Sequence, residues 1–157
     1  MPASYRQSEA HDLIKRVERQ YRAVAAGLRS LLDGAAAAGL SAEAVASLRA
    51  TEDELADTYV LRAFATFEDV LRTYDRAKHN DPARSSAASV LIDSIGGKRG
   101  HDNPASYRAG AHEVRLIRNR VAHQSADDAP DLTVRDCCRR LHRFVSCLDH
   151  EWTVPDG

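Results

Sequence analysis

The residues best suited to chemistry are an arginine and a histidine five positions apart, in the run Arg118-Asn119-Arg120-Val121-Ala122-His123. A guanidinium makes two-point contacts with phosphate oxygens, and an imidazole exchanges a proton near neutral pH. The pair therefore suits the binding of an anion by Arg118 and acid–base catalysis by His123.

The spacing alone is a weak signal, because the chain is rich in arginine and has seven histidines. An arginine five positions before a histidine is expected about once by chance, and Arg6 with His11 is such a pair. Requiring an asparagine directly after the arginine lowers the expected count to about 0.02. The run ending at His123 meets this stricter condition through Asn119.

The segment from Pro104 to His123 separates into two sides when it is wound as a helix at about 100° per residue. The apolar side predicts contact with a core, and it carries Gly110, Val114, Ile117 and Val121, with Tyr107 at its edge. The roughly opposite side, here the polar ridge, carries Arg108, His112, Arg115, Asn119 and His123. Arg118 flanks this ridge, which either faces water or binds an anionic partner.

Charge is distributed unevenly although the net charge is only -1. Residues 41–69 contain seven acids and two bases, a local balance of -5, whereas residues 98–123 contain six bases and two acids, a balance of +4. An arginine-weighted basic segment is typical of phosphate recognition. The plainer interpretation is a dipolar, solvated surface, and charge alone does not decide between the two.

Two further patterns do not make a metal site. The run His112-Glu113-Val114-Arg115-Leu116 begins like a zinc-protease signature, but leucine occupies the position of the second histidine. Cys138 and His142 have helical i, i+4 spacing but lack two further ligands. The odd cysteine count, with Cys137 beside Cys138, favours buried thiols in a reducing compartment over disulfides. We expect neither a metal nor a cofactor.

Apolar periodicity and capping residues predict the secondary structure. The predicted helices run from about Ser8 to Asp33, from Ser41 through Leu48, from Leu55 to His79 after a capping box at Thr51 to Glu54, from Asp81-Pro82 to about Ile95, from Asn103-Pro104 to His123 or Gln124, and from a capping box at Thr133 to Asp136 onward to about His150. Loops are predicted at 96–100 and 127–131.

The chain is predicted to form one all-α domain over residues 1–157, with its core at about 8–150. We expect an up-and-down bundle of about five helices around the long helix, whose apolar stripe is widest. In the first helix the predicted stripe is Leu13, Val17, Tyr21, Val24, Leu28 and Leu31. No segment alternates long enough to require a strand, and no apolar run approaches a membrane span, so a cytoplasmic protein is expected.

The run Arg118-Asn119-x-x-x-His123 inside such a bundle resembles the motif of the HEPN domains, an arginine followed by a polar residue, three variable residues and a histidine. The order of parts is also similar from about Leu55 onward, with Phe64-x-x-Phe67-Glu68 in the long helix and a capped terminal helix. One HEPN toxin subgroup has a tyrosine two residues after the histidine, where this chain has Ser125. Silencing by modification of that tyrosine is therefore not implied.

The resemblance implies a metal-independent endoribonuclease of a toxin–antitoxin or antiviral defence system, acting as a homodimer that brings two motifs together. RNA carries its own nucleophile, the 2′-hydroxyl, so His123 would transfer the proton and Arg118 would stabilise the phosphate charge. Asn119 would orient the ring or hold a phosphate oxygen, and Glu68 resembles a family acid that pairs with the motif. Further RNA contacts are expected from Arg108, His112, Arg115 and Arg120.

Two other functions are compatible with the sequence. A catalytically inactive HEPN-like module would bind RNA or a protein partner, such as a cognate antitoxin or a subunit of a defence complex. A helical adaptor without a nucleic-acid role would leave the polar ridge in water, with Arg118 as an ordinary ion-pair partner. His123 would then be a helix-terminal residue favoured by the helix dipole.

Overall fold

The computed structural model describes residues 2–95, 104–123 and 128–156. Within these ranges the chain has five helices and a two-stranded antiparallel sheet, which confirms the predicted all-α bundle of about five helices. The helices are α1 (Gln7–Asp33), α2 (Ala42–His79), α3 (Ala88–Ser94), α4 (Ala105–His123) and α5 (Val134–Val145), and the strands are β1 (Ala3–Arg6) and β2 (Glu151–Val154). The predicted loop at 96–100 lies outside the described residues.

Helix α2 is the centre of the bundle, as its broad apolar stripe predicts. It contacts the other four helices and β2. Phe64 and Phe67 of α2 are fully buried, and the ring of Phe67 meets the edge of Phe144 in α5 with 5.3 Å between centroids. Burial of this apolar surface is the main source of stability in such a bundle.

Two helix caps predicted from the sequence are confirmed. The Ser41 hydroxyl accepts a hydrogen bond from the Ala44 amide at 3.1 Å, and the Thr133 hydroxyl accepts one from the Asp136 amide at 3.1 Å. Each bond satisfies an amide that has no partner within its own helix. These caps fix the beginning of α2 and of α5.

The predicted capping box at Thr51 is wrong, because α2 continues from Ala42 to His79 without interruption. The Thr51 hydroxyl donates to the Ser47 carbonyl one turn earlier, as threonine does inside a helix. No glycine or proline lies between Ser41 and Asn80, so nothing in the backbone stops the helix. It ends at Asn80, which has the left-handed conformation with φ of 49°.

The helix predicted to begin at Asp81-Pro82 begins only at Ala88. The Asp81 carboxylate accepts a hydrogen bond from the Ala83 amide, so it caps a turn instead of a helix. Side chains of α2 then hold the following residues along its surface. Arg76 donates to the Arg84 carbonyl at 3.1 Å, and Arg72 donates to the Ser86 carbonyl at 2.9 Å. Residues 84–87 are thus bound to α2, and the last of them, Ala87, lines the groove described below.

The small sheet is a feature that the sequence did not predict. β1 pairs antiparallel with β2, with Tyr5 opposite Trp152. The two rings stack with centroids 6.1 Å apart, and Trp152 also packs edge-on against Tyr74 of α2. Each strand has four residues, which is too short for an alternating pattern to be recognised.

The predicted core stripe of α1 is partly wrong. Leu13, Val24 and Leu31 are 41%, 46% and 54% exposed, whereas Ala10 and Ile14 are buried. The buried residues lie about 60° around the helix from the exposed leucines and valine. α1 packs against both α2 and α5, and this two-sided contact turns its buried face away from the longer side chains. None of the helices in the described ranges has the length and apolarity that a membrane span requires.

Gly110 lies inside α4 where α5 crosses it closely. A Cβ atom placed there would approach the Arg140 side chain at 3.4 Å, an ordinary van der Waals distance. We therefore expect Gly110→Ala to stabilise the fold by about 0.5–1 kcal/mol, because alanine restricts the unfolded chain and favours the helix. Chemical denaturation measures the change, with Gly110→Leu as the contrasting variant. Destabilisation by the alanine would contradict the prediction.

A pair of histidines joins α1 to α5. The Nδ1 atoms of His11 and His142 are 2.8 Å apart, and the ring planes are inclined by 30° with centroids at 5.1 Å. Two facing ring nitrogens form a hydrogen bond only when one of them carries a proton. Burial, with smaller contributions from His11 and Lys15, lowers the pKa of His142 to about 4. Burial also lowers the pKa of His11, where Lys15 acts in the same direction and Asp12 opposes it.

Acid is expected to weaken this histidine contact. The folded pKa of His142 lies below the unfolded value of 6.5, so its contribution to stability is complete above about pH 6.5 and is lost as the pH falls toward about 4. Solvent beside the half-buried pair screens part of the effect, which leaves about 1–2 kcal/mol. Urea unfolding at several pH values measures this loss. The variant His142→Gln should lose less stability over the same range, and equal losses would contradict the prediction.

Candidate functional site

A groove of about 280 Å³ lies between α2, the beginning of α3 and α4. Its lining residues are Phe64, Glu68, Arg72, Ala87, Ala88, Ser89, Arg115, Arg118 and Asn119. We call it the arginine groove, because three guanidinium groups and one carboxylate line it. Four residues predicted from the sequence therefore meet in one place: Glu68, Arg115, Arg118 and Asn119.

The buried side of α4 sets the orientation of the helix, and thereby directs the motif residues on its other side toward the arginine groove. Val114 and Ile117 are buried in the bundle core, at 0% and 2% exposure. The burial of Val114 and Ile117 fixes the rotation of the helix about its axis. Arg118 and Asn119 are therefore half-buried on a different face. Arg118 donates from Nη1 to the Asn119 side-chain oxygen at 3.1 Å. This bond uses one of the five N–H groups of the guanidinium.

Glu68 enters the arginine groove from α2, and its direct partner is Arg72, one turn later on the same helix. Arg72 also donates to the Ser85 hydroxyl and to the Ser86 carbonyl. The Glu68 carboxylate is thus neutralised by Arg72, while Arg115 and Arg118 contribute two further positive charges. The arginine groove therefore favours an anion over a neutral or cationic ligand.

His112 and Arg115 extend this network toward α3. The Nε2 atom of His112 is 2.7 Å from the Asp93 carboxylate, and Arg115 donates from Nε to Nδ1 of His112 at 3.3 Å. His112 does not line the arginine groove itself, whereas Arg115 does. Arg115 therefore lies between His112 and the space that a ligand would occupy.

Arg120 and Arg108 lie apart from the other predicted residues. Arg120 donates to the Ala129 carbonyl at 3.4 Å and lines a separate depression with Glu54 and Asp57 of α2. In Arg108 the Nε atom is buried, and it has no hydrogen-bond partner in the described ranges. Neither side chain lines the arginine groove.

His123 is the last residue of α4 and is exposed. It is not among the residues that line the arginine groove. A separation of five helical residues corresponds to about 140° of rotation and about 7.5 Å of rise between Arg118 and His123. Asn119 lies closer in direction, since it precedes His123 by about one turn. One copy of the chain thus presents the arginine and the histidine in different directions.

Sequence reasoning missed Arg72 and Ser89 in the arginine groove and Asp93 behind it. Arg72 follows Glu68 by four residues, and this i, i+4 pair of opposite charges on a helix was a usable signal. No local pattern could reveal Asp93, because its contact with His112 joins residues 19 positions apart.

The cysteines do not contribute to the groove. Cys137 and Cys138 are buried thiols, as predicted, and burial raises the pKa of Cys137 to about 11 and that of Cys138 to about 12. Both are therefore protonated at neutral pH and poor nucleophiles. Among the residues that the structure describes, no three histidine, cysteine or acidic side chains are grouped to hold a metal ion.

Comparisons of the chain with protein-family models, with curated proteins and with solved structures find no match.

Proposed function

We propose that this protein is a HEPN-like endoribonuclease of a toxin–antitoxin or antiviral defence system, which acts in the cytoplasm without a catalytic metal. The observation that carries the proposal is the arginine groove, where Glu68 of α2 meets Arg118 and Asn119 of α4 although 50 residues separate them along the chain. A groove lined by three arginines suits the binding of an RNA phosphate.

Each residue has a defined part in this reaction. Arg118 binds the scissile phosphate and stabilises the charge that develops on its oxygens, with Arg115 as a second cation. The 2′-hydroxyl attacks phosphorus, loses its proton to a base and forms a 2′,3′-cyclic phosphate, while the 5′-oxygen leaves with a proton from an acid. His123 serves as one of these two groups. Asn119 holds the Arg118 guanidinium.

A second copy of the chain completes the proposed site. In one copy His123 lies outside the arginine groove that contains Arg118. An imidazole must approach to about 3 Å from the atom whose proton it transfers. We therefore propose a homodimer in which His123 of one copy acts at the arginine groove of the other. The expected solution mass is that of two copies.

The second candidate is a catalytically inactive module that binds RNA or a partner such as an antitoxin. The position of His123 outside the arginine groove favours it, because an anion can bind to the arginines without this histidine. This alternative predicts that RNA binding depends on Arg118 and that intact protein leaves bound RNA uncut.

The direct test is incubation of the dimer-sized protein with a mixed-sequence RNA in excess chelator. We expect cleavage that yields 2′,3′-cyclic phosphate and 5′-hydroxyl ends, and a loss of about 10²–10³-fold in rate for Arg118→Ala. Exposed Arg19 on α1 provides the matched control, since Arg19→Ala removes the same charge from a helix that has no residue in the groove. Absence of cleavage by intact protein, or equal rates for the two variants, would refute the nuclease. Binding lost only in Arg118→Ala would then support the inactive module.

A further inference from the structure

A chain of three polar side chains runs behind the arginine groove, from α3 to α4. Asp93 of α3 is exposed, and its carboxylate lies 2.7 Å from Nε2 of His112. The opposite ring nitrogen, Nδ1, lies 3.3 Å from Nε of Arg115, one turn later on α4. In this series of three side chains, His112 thus joins the Asp93 carboxylate to the Arg115 guanidinium.

The partners of the two ring nitrogens select one tautomer of the neutral ring. The Nε group of an arginine can only donate, so Nδ1 of His112 must accept and cannot carry a proton. The ring proton therefore lies on Nε2, where it is donated to the Asp93 carboxylate. This is the same arrangement by which a carboxylate orients a histidine at many functional sites.

The hydrogen bond to His112 restrains the direction of the Arg115 side chain. Its Nε group is bound to His112, whereas its two terminal nitrogens have no hydrogen-bond partner within the described ranges. Arg115 lines the arginine groove together with Arg118. A long, flexible side chain loses conformational entropy when it binds a ligand, and one already held at Nε loses less.

We propose that His112 is a positioning residue, which holds Arg115 by its Nε group so that both terminal nitrogens face an anion in the arginine groove. Asp93 orients the ring through the hydrogen bond at Nε2. The inference rests on the proposed function for the identity of the anion, an RNA phosphate. His112 itself does not contact the RNA, in contrast to the role expected from the sequence.

Two substitutions at His112 separate its two hydrogen bonds. The side-chain oxygen of asparagine takes the approximate place of Nδ1, so His112→Asn keeps the acceptor for Arg115 and loses the contact with Asp93. Glutamine reaches the place of Nε2, so His112→Gln keeps the donor to Asp93 and loses the acceptor. A role limited to packing or to the contact with Asp93 would make the asparagine variant the more damaging one.

The first measurement is the ¹⁵N NMR signal of the Arg115 Nε–H group, identified by its disappearance in Arg115→Lys. We expect a slowly exchanging signal in the unaltered protein and in His112→Asn, and a fast-exchanging one in His112→Gln. This measurement needs no RNA, so it tests the positioning of Arg115 even if the nuclease proposal fails. An unchanged signal in His112→Gln would overturn the inference.

The second measurement is the affinity for a fluorescein-labelled, mixed-sequence RNA of 12 nucleotides. We expect His112→Gln and Arg115→Ala each to weaken binding by about 3–10-fold, and His112→Asn by less than about twofold. The double variant His112→Gln/Arg115→Ala should bind no more weakly than Arg115→Ala alone, because both changes remove one interaction. Additive losses would show a direct or structural role for His112 and overturn the inference. Failure of the nuclease proposal would instead appear as loss of RNA binding or cleavage with the NMR result intact.

Discussion

Replacing His123 by alanine is expected to lower the rate of RNA cleavage by about 10²–10⁴-fold, the range that a positioned acid or base contributes. The affinity for RNA should change by less than about threefold, because His123 lies outside the arginine groove where the phosphate binds. Initial cleavage rates and fluorescence-based binding curves, taken on the same labelled RNA in chelator, measure the two effects separately.

His150 provides a matched control for this substitution, since it is an exposed histidine in the part of the chain that follows α5. The variant His150→Ala should cleave RNA at the unaltered rate. If His123→Ala cleaves RNA as fast as His150→Ala does, His123 has no part in proton transfer. If it instead loses RNA affinity and keeps its maximal rate, His123 is a binding residue.

Replacing Phe67 by alanine is expected to destabilise the protein by about 3–5 kcal/mol, the largest effect on stability that we expect from one substitution. The Phe67 ring is fully buried between Phe64 and Phe144, with centroids at 5.8 and 5.3 Å. Its removal leaves a cavity that the surrounding helices cannot fill without moving. Urea unfolding should show the loss, and thermal unfolding should show a fall of roughly 6–20 °C in Tm.

The loss of stability in Phe67→Ala is expected because the ring is buried where α2 meets α5, and an exposed apolar residue provides the control. Val90 of α3 is 51% exposed, so Val90→Ala should change stability by no more than about 0.5 kcal/mol. A loss of less than about 1 kcal/mol in Phe67→Ala would show that α2 is not the centre of the core. Because Glu68 follows Phe67 directly, movement at this position should also disturb the arginine groove.

The fold was predictable where local chemistry decides it. Ser41 and Thr133 cap helices because their hydroxyls satisfy free amides in the first turn, and this needs no tertiary contact. Thr51 carries the same local signal but lies within a helix. At Asp81-Pro82 the signal yields only a turn, because Arg72 and Arg76 bind the following backbone to α2. Contacts distant in sequence decide these last two cases.

The arginine groove could be predicted only in part. Arg115, Arg118 and Asn119 were recognisable from types and spacing, whereas Glu68 was expected only from the family resemblance. The place of Arg72 and the link between Asp93 and His112 depend on how α2, α3 and α4 pack. The sequence likewise could not show that Arg120 lies beside Glu54 and Asp57, because a helical projection does not identify its neighbours.

The claim that two copies share each site is tested most directly by mixing two inactive variants, Arg118→Ala and His123→Ala, under conditions that allow subunits to exchange. A mixed dimer contains one site with an intact arginine groove and an intact histidine from the other copy. With full exchange in an equal mixture, about half of the dimers are mixed. Each mixed dimer has one working site of two, so we predict recovery of about a quarter of the unaltered rate of RNA cleavage. A mixture that forms mixed dimers but cleaves no faster than its two components would contradict the shared site.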